Sequence, residues 1–313
     1  MVRTIDVCLA CYQGEAFLPR LLDTLCAQDD PAFRVLFQDD GSTDATAGIL
    51  AGRAALDLRF VPGQQSGQHL GAAGNFLSLL RQSDAAYTAL CDQDDEWEPN
   101  RLSACRRAME MAEAQYGQDT PILVHSDCCV IDEEGDAIAG SLFAHQGWDI
   151  HAVTLPRLLV QNNVTGCTLL MNAALRRLVA EAAPETLYMH DWFIALTAAA
   201  FGRIVFVDDT LVRYRQHDGN AIGASREPQL LRALHALCDL DKARARIRVT
   251  YWHAAAFRDA YAPLLARCPE SAQTLDSFLA IPRLPRCQRL AALYRGGFLM
   301  QSSIARLGQL LLS

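Results

Sequence analysis

The chain has 313 residues, a formal charge of −8 and an apolar fraction of 51%, enough for one large domain with an appendage or for two modest domains. An acidic main body argues against a general nucleic-acid binder. Apolar-leaning runs such as 194–200 are interrupted well short of a membrane span, and the opening M-V-R-T-I-D-V lacks the basic-then-apolar pattern of a signal peptide, so a cytoplasmic protein is expected. Thr4 to Cys11 predicts a first strand. Cys8 and Cys11 make C-x-x-C, but there is no second pair at zinc-ribbon spacing, and the 11 cysteines lie mostly in apolar surroundings, as reduced core thiols do. Phe17, Leu18, Leu21, Leu22 and Leu25 form one helical stripe. Arg34 to Gln38 predicts a second strand running into Asp39-Asp40-Gly41-Ser42-Thr43-Asp44, with Ser42 or Thr43 placed to cap a helix from Asp44 to about Ala55. Leu58, Phe60 and Val61 predict a third strand, followed by a loop rich in Gly and amide side chains and a helix with Asn75 and Phe76 near its start.

Tyr87 to Cys91 is a short apolar run that ends in Asp92-Gln93-Asp94-Asp95-Glu96-Trp97, a buried strand delivering an acidic loop. In an extended segment Asp92 and Asp94 lie on one side of the backbone, so both carboxylates can face one ligand. Hard oxygen ligands at a strand end point to Mg²⁺ or Mn²⁺ held partly by substrate phosphates. Acidic residues also decorate ordinary turns, so the rest of the chain has to decide. Alternating strands and helices predict a mostly parallel sheet covered on both faces, whose ligands gather at the carboxyl ends of the strands. Tyr12, Asp39, Asp40, Asp92 and Asp94 all fall at such ends.

Three segments, V-C-L-A-C-Y-Q-G-E-A-F-L, F-Q-D-D-G-S-T-D-A-T and C-D-Q-D-D-E-W-E-P-N-R-L, together resemble the family 2 glycosyltransferases of GT-A fold, over roughly the first two thirds of the chain. The C-D-Q-D-D-E-W wording is most similar to the bacterial rhamnosyltransferase branch. The resemblance implies a Rossmann-like, mostly parallel mixed sheet flanked by helices. It also implies an inverting transfer from a nucleotide sugar, dTDP-rhamnose or another dTDP- or UDP-sugar, to a hydroxyl of a surface-polysaccharide or lipid-linked saccharide precursor. By the resemblance, Ala10, Tyr12, Asp40, Asn75, Asp92 and Gln93 belong to the donor pocket, with Tyr12 and Asp40 at the base and Asp92 on the ribose or metal side. Asp94 would hold the metal, Mn²⁺ or Mg²⁺, that bridges the donor phosphates. Gln13 departs from the Asn common in the family, which leaves the detail of that loop open.

Glu98-Pro99 predicts the opening of a long helix to about Tyr116, with Pro at an early position where its missing N–H costs nothing. Ile122 to Ile131 predicts a strand, and Asp132 to Asp136 a hairpin turn; His125 and Asp127 within the strand are read as structural. A helix is expected over Leu155 to Gln161. Asn163 to Thr168 reads either as a strand entry or, by the resemblance, as lining of the cleft. Asp191, at the start of an apolar helix, can be a carboxylate serving the helix dipole; the match of H-D-W-F-I-A-L to the family's acidic residue at a helix start makes it the general base. Arg203 to Asp208 and Leu211 to Arg215 predict two further strands, after which R-Q-H resembles the family segment that brings a His, here His217, to the metal or diphosphate.

These residues divide the chain into a catalytic domain, 1–220, with a nucleotide-sugar half to about 98 and an acceptor half to about 220, and a C-terminal helical region, 221–313. From Arg226 onward the sequence has 13 Lys+Arg and 6 Asp+Glu, against 15 and 30 before it, an asymmetry that marks a partner surface. Leu230, Leu231, Leu234, Leu237 and Cys238 form a helical stripe. Arg283, Arg286, Arg289 and Arg295 interleave with Leu290, Leu293, Phe298, Ile304 and Leu311, either as a basic amphipathic face against an anionic bilayer at the inner side of the cell membrane or as an appendage packed on the core or on a second copy in a homodimer. A nucleotidyltransferase would need a Gly-rich phosphate loop after the first strand, which is missing, and a phosphatase would place D-x-D after its first strand. A non-catalytic nucleotide-sugar or carbohydrate-binding protein of the same fold is the remaining alternative.

Overall fold

The computed structural model describes residues 3–64, 67–183, 188–217 and 240–312. The Leu230–Cys238 stripe and the 220/221 boundary lie outside the described residues. The first half is a run of β1 (Ile5–Cys11), α1 (Leu18–Cys26), β2 (Phe33–Asp39), α2 (Thr46–Leu56), β3 (Phe60–Pro62), α3 (Gly71–Gln82) and β4 (Tyr87–Asp92). Its four strands pair in parallel in the order β3-β2-β1-β4. The order reverses between β1 and β4, and at such a switch the flanking connections leave on opposite faces and open a crevice.

The second half adds β5 (Glu96–Trp97), α4 (Arg101–Tyr116), β6 (Ile122–Ile131), β7 (Ala137–Ala139), α5 (Leu142–Gln146), α6 (Leu155–Leu158), β8 (Leu170–Asn172), α7 (Ala173–Ala180), α8 (His190–Phe201) and β9 (Arg203–Arg215). β8 inserts antiparallel between β4 and β6, β6 pairs with β9 in parallel, and β5 closes the path antiparallel to β9. The result is the mostly parallel mixed sheet flanked by helices that the motifs imply.

Alternation along each strand fills two cores. Ile5, Val7 and Leu9 face the layer of α1, α2 and α4 with Val35, Phe37 and Tyr87, whereas Cys8, Leu36 and Leu90 face α3, α6, α7 and α8. Helices Leu240–Ala260, Pro269–Ala280 and Arg286–Arg295 pack into that second core through Phe257, Tyr261, Leu275, Phe278 and Leu293. The C-terminal helices therefore extend the core beneath α8.

Several local expectations change. α2 begins at Thr46 with no side-chain cap, because the Ser42 and Thr43 hydroxyls are taken by Gln13, while Glu15 and Asp44 accept the Ala45 and Thr46 amides. Leu58 is exposed and β3 starts at Phe60. Pro99 lies before α4, which starts at Arg101. Gly166–Thr168 is a turn of 3₁₀ helix and not a strand entry, and α6 ends at Leu158. The two strands expected over 203–215 are one strand of 13 residues, whose register against β6 shifts near Asp208-Asp209. That shift is a bulge absorbing two polar residues.

Candidate active site

At the carboxyl end of β1 the chain turns through Gln13, whose φ of 52° lies in the left-handed region, a conformation that Asn tolerates better than Gln. Gln13 is held there by its own side chain, whose carbonyl accepts the Thr43 amide at 2.8 Å and whose amide donates to the Thr43 hydroxyl at 3.0 Å. Gln thus does from one methylene further out what binds this loop to the end of β2. The loop is also locked to the acidic segment. The Tyr12 amide donates to the Gln93 carbonyl at 2.8 Å, and the Gln93 amide returns a bond to the Tyr12 carbonyl at 2.7 Å. Gly14 permits this closeness, because a Cβ there would collide with the Gln93 carboxamide. Tyr12 itself is exposed, its ring 4.6 Å from that of His69.

Asp40 is buried, and its carboxylate accepts the Leu70 and Gly71 amides at 2.8 Å each. It ties β2 to the start of α3, and in this arrangement it shapes the loop against which a base would lie. Asn75 is likewise buried; its amide donates to the Gln38 carbonyl at 3.2 Å, and its own side-chain oxygen has no partner. Ala10 pairs with Asp92 across the switch point, so the three strand ends meet there.

Asp92, Asp94 and Asp191 converge on this crevice. The Asp92 carboxyl is pushed up to about 8, first by burial and then by the charges of Asp94 and Asp191. Asp94 Oδ2 lies 2.7 Å from His217 Nε2, and this carboxylate, by its hydrogen bond, raises the imidazole above its usual range. Asp191 occupies the first turn of α8, accepts the Trp192 amide at 2.6 Å and sits against Gly166. Burial pushes its carboxyl up to about 6, offset in part by backbone amides. An acid of that strength, within electrostatic reach of Asp92, is equipped to exchange a proton near neutrality.

The donor set fits a divalent cation. A carboxyl that burial and then neighbouring like charges hold protonated to about 8 is one that a hard cation would relieve, and carboxylate with imidazole suits Mn²⁺. Asp92, Asp95 and Cys167 also lie within 4.8 Å of one another. The Cys167 thiol is held far above its ordinary range by burial and by Asp95, and a protonated thiol is a poor partner for a hard ion. Asp95 instead accepts the Arg215 amide at 3.0 Å.

Residues 6–121 match the family model Glycosyl transferase family 2. The match runs from β1 through α4. An uncharacterized protein of Mycobacterium tuberculosis is 26% identical over 208 residues, 66% of this chain and 57% of its own length. The Bacillus subtilis protein named "Putative glycosyltransferase EpsH" is 25% identical over 221 residues, 68% of this chain and 61% of its own. The chain thus spans less than two thirds of these relatives. Staphylococcus aureus TarS in complex with UDP superposes with a TM-score of 0.57 at 18% identity, over 88% of this chain and 70% of that one. The complex of TarS with UDP-GlcNAc gives 0.56 at 17%, over 95% and 93%. At these identities the likeness is one of fold, and it establishes the GT-A architecture.

At this crevice the main residue missed by sequence reasoning is Arg215. Buried between strands, it donates to Glu96 at 2.6 Å, to the Asp94 carbonyl at 2.9 Å and to the Asp132 and Glu133 carbonyls at 3.0 and 2.8 Å. Glu96 is buried in β5. The only sequence signal was placement: Arg215 precedes His217 by two, so in extended chain both side chains point to one side.

Proposed function

We propose that this protein transfers a sugar from a nucleoside diphosphate to a hydroxyl of a polysaccharide-type or lipid-linked saccharide acceptor, with inversion at the anomeric carbon. The observation that carries the reading is the convergence of Asp191, its carboxyl pushed up to about 6, on the Asp92–Asp94 end of β4. In this reading Tyr12 and Asp40 with its loop receive the base, Ala10, Asn75 and Gln93 shape the donor pocket, and Asp92 takes the ribose or metal side. Asp94 and His217, with Asp92, hold Mn²⁺ or Mg²⁺; when bound, the cation neutralises charge on the departing diphosphate. Asp191 accepts the acceptor hydroxyl's proton as the new bond forms, a service worth on the order of 10²–10⁴ in rate. One carboxylate on the acceptor side supports a single displacement.

The wording of Cys91 to Trp97 favours dTDP-rhamnose among dTDP- and UDP-sugars. Residues 1–220 form the catalytic unit, with donor and acceptor halves meeting near 98, and the basic residues beyond 221 form the partner surface. No described helix is long and apolar enough to cross a membrane; Arg283, Arg286, Arg289 and Arg295 supply a face for peripheral contact with an anionic bilayer or for a second copy. A panel of nucleotide sugars with Mn²⁺, read by thermal shift and then by donor hydrolysis, tests the reading. A donor that stabilises the protein only with metal and is hydrolysed supports it; stabilisation unchanged by chelator removes the metal role, and no response to any donor overturns the whole.

A further inference from the structure

Three residues ahead of Asp191, at the entry to α8, Tyr188 is 45% exposed, and Trp252 on the Leu240–Ala260 helix is 49% exposed. Their rings meet edge to face, centroids 6.5 Å apart at 75°. Half-exposed aromatic rings in mutual contact give up apolar area to water that a ligand would recover. The pair is also fixed from beneath. Tyr188 meets Trp192 edge to face at 6.2 Å, and the Trp192 indole donates to the Leu158 carbonyl at 2.6 Å. Below Trp192, at 4.9 Å, lies His253, fully buried with both ring nitrogens unpartnered. Burial pushes His253 down to about 4, so the support is uncharged. The outcome is a supported aromatic shelf three residues ahead of Asp191, made by two elements far apart in sequence.

We propose that Tyr188 and Trp252 form a subsite that stacks a neutral pyranose of the acceptor chain beside the hydroxyl addressed by Asp191. The C–H face of a pyranose carries partial positive charge and meets the negative face of an aromatic ring, while its hydroxyls stay in water. Three residues span at most ~10 Å, which places the stacked ring about one or two sugar units from the reacting hydroxyl. A preformed shelf costs little ordering on binding. The identity of the chain it holds rests on the glycosyltransferase reading.

Saturation-transfer NMR on the full chain, with neutral disaccharides of rhamnose, galactose, glucose and N-acetylglucosamine as probes and UDP with Mn²⁺ present, tests the subsite. At least one disaccharide should bind, and Trp252→Ala or Tyr188→Ala should weaken it by about tenfold, an aromatic contact's contribution, while Trp252→Phe and Tyr188→Phe retain most of it. UDP affinity should be unchanged in all four variants, and circular dichroism should show the same fold. A wild type that binds none of the probes, or binding that survives both alanine variants, overturns the subsite. So does a loss of affinity for phosphatidylglycerol vesicles in Trp252→Ala without any saccharide signal, which would assign the rings to lipid. The UDP–Mn²⁺ measurement reports separately on the donor site, so its failure counts against the functional reading and not against the shelf.

Discussion

The role proposed for Asp191, a base at neutral pH, turns on its setting in the first turn of α8. Burial raises its carboxyl to about 6, so the basic form grows in as pH rises through that value. The rate kcat/KM of the free enzyme is expected to climb with unit slope below about pH 6 and to level above it; a profile flat from pH 5 to 8 would remove Asp191 as the base. Asp191→Asn should keep UDP binding and lose on the order of 10²–10⁴ in turnover. The sign of the stability effect is also fixed. A carboxyl raised in the folded state binds its proton there more tightly than in the unfolded chain, so its burial costs stability increasingly from about pH 4 to pH 6. Asp191→Asn should therefore raise the melting midpoint at pH 8 and leave it nearly unchanged at pH 4, a separation of stability from activity usual for such sites.

On the donor side the residue scale turns on close approach. Gly14→Ala puts a methyl group where the Gln93 carboxamide lies, so the two hydrogen bonds joining Gln93 to Tyr12 must open. The expected result is weaker donor binding, seen as a lower affinity for UDP by calorimetry, with little change in thermal midpoint because what must move is the end of the Gln93 side chain. Tyr12, Asp92 and Asp94 were legible in the sequence because strand ends and i, i+2 spacing are local signals. The commitment of Asp40 to two backbone amides was not, since its partners Leu70 and Gly71 lie 30 and 31 residues on.

At the scale of elements, β9 sets the acidic loop in place. Arg215 leaves the strand between Glu96 and the Asp94 carbonyl, and Arg20 and Arg213 reach the same Glu96 at 3.3 Å each. Arg215→Met leaves Glu96 buried with its best partner gone, which should cost about 3 kcal/mol in denaturant unfolding and weaken metal-dependent donor binding. An equal loss in Arg213→Met, whose partner bond is longer and more exposed, would contradict this ranking. The parallel half, β1 to β4, was readable from strand–helix alternation. Insertion of β8 between β4 and β6 was not, because antiparallel pairing across some 80 residues leaves no periodic trace. Asp208-Asp209 read as a break between strands for a related reason: a bulge looks like a turn when the partner strand is unseen.

At the scale of the whole molecule, acidity is concentrated before position 226 and basicity after it. The Asp94–His217 pair belongs to the acidic segment after β4, where the proposed cation would be held. The hydrogen bond to Asp94 raises His217 above 6.5, so the pair stabilises the metal-free protein fully below about pH 6.5 and loses that contribution as pH rises through the folded value. A metal needs the imidazole neutral. Affinity for Mn²⁺ should therefore fall as pH drops from 8 to 6, more steeply in the wild type than in His217→Gln, which has no proton to displace. Equal slopes in the two would take His217 out of the ligand set.

Phe257 and Tyr261 come from the C-terminal helices yet fill the core beneath Phe193 of α8, at centroid distances of 5.5 Å each. The helix that presents Asp191 is thus backed by residues from beyond position 240, which a reading of the C-terminal region as an appendage on the core or a surface for partners did not specify, because amphipathic stripes say that a face is buried and not against what. Phe257→Ala should cost about 3–5 kcal/mol, and the loss should appear in one transition followed both by far-ultraviolet dichroism and by tryptophan fluorescence, since the two regions share that core. Two separated transitions would mean that the C-terminal helices unfold alone. In that case α8 would lose its backing before the sheet melts, and transfer activity would fall on heating earlier than UDP binding does.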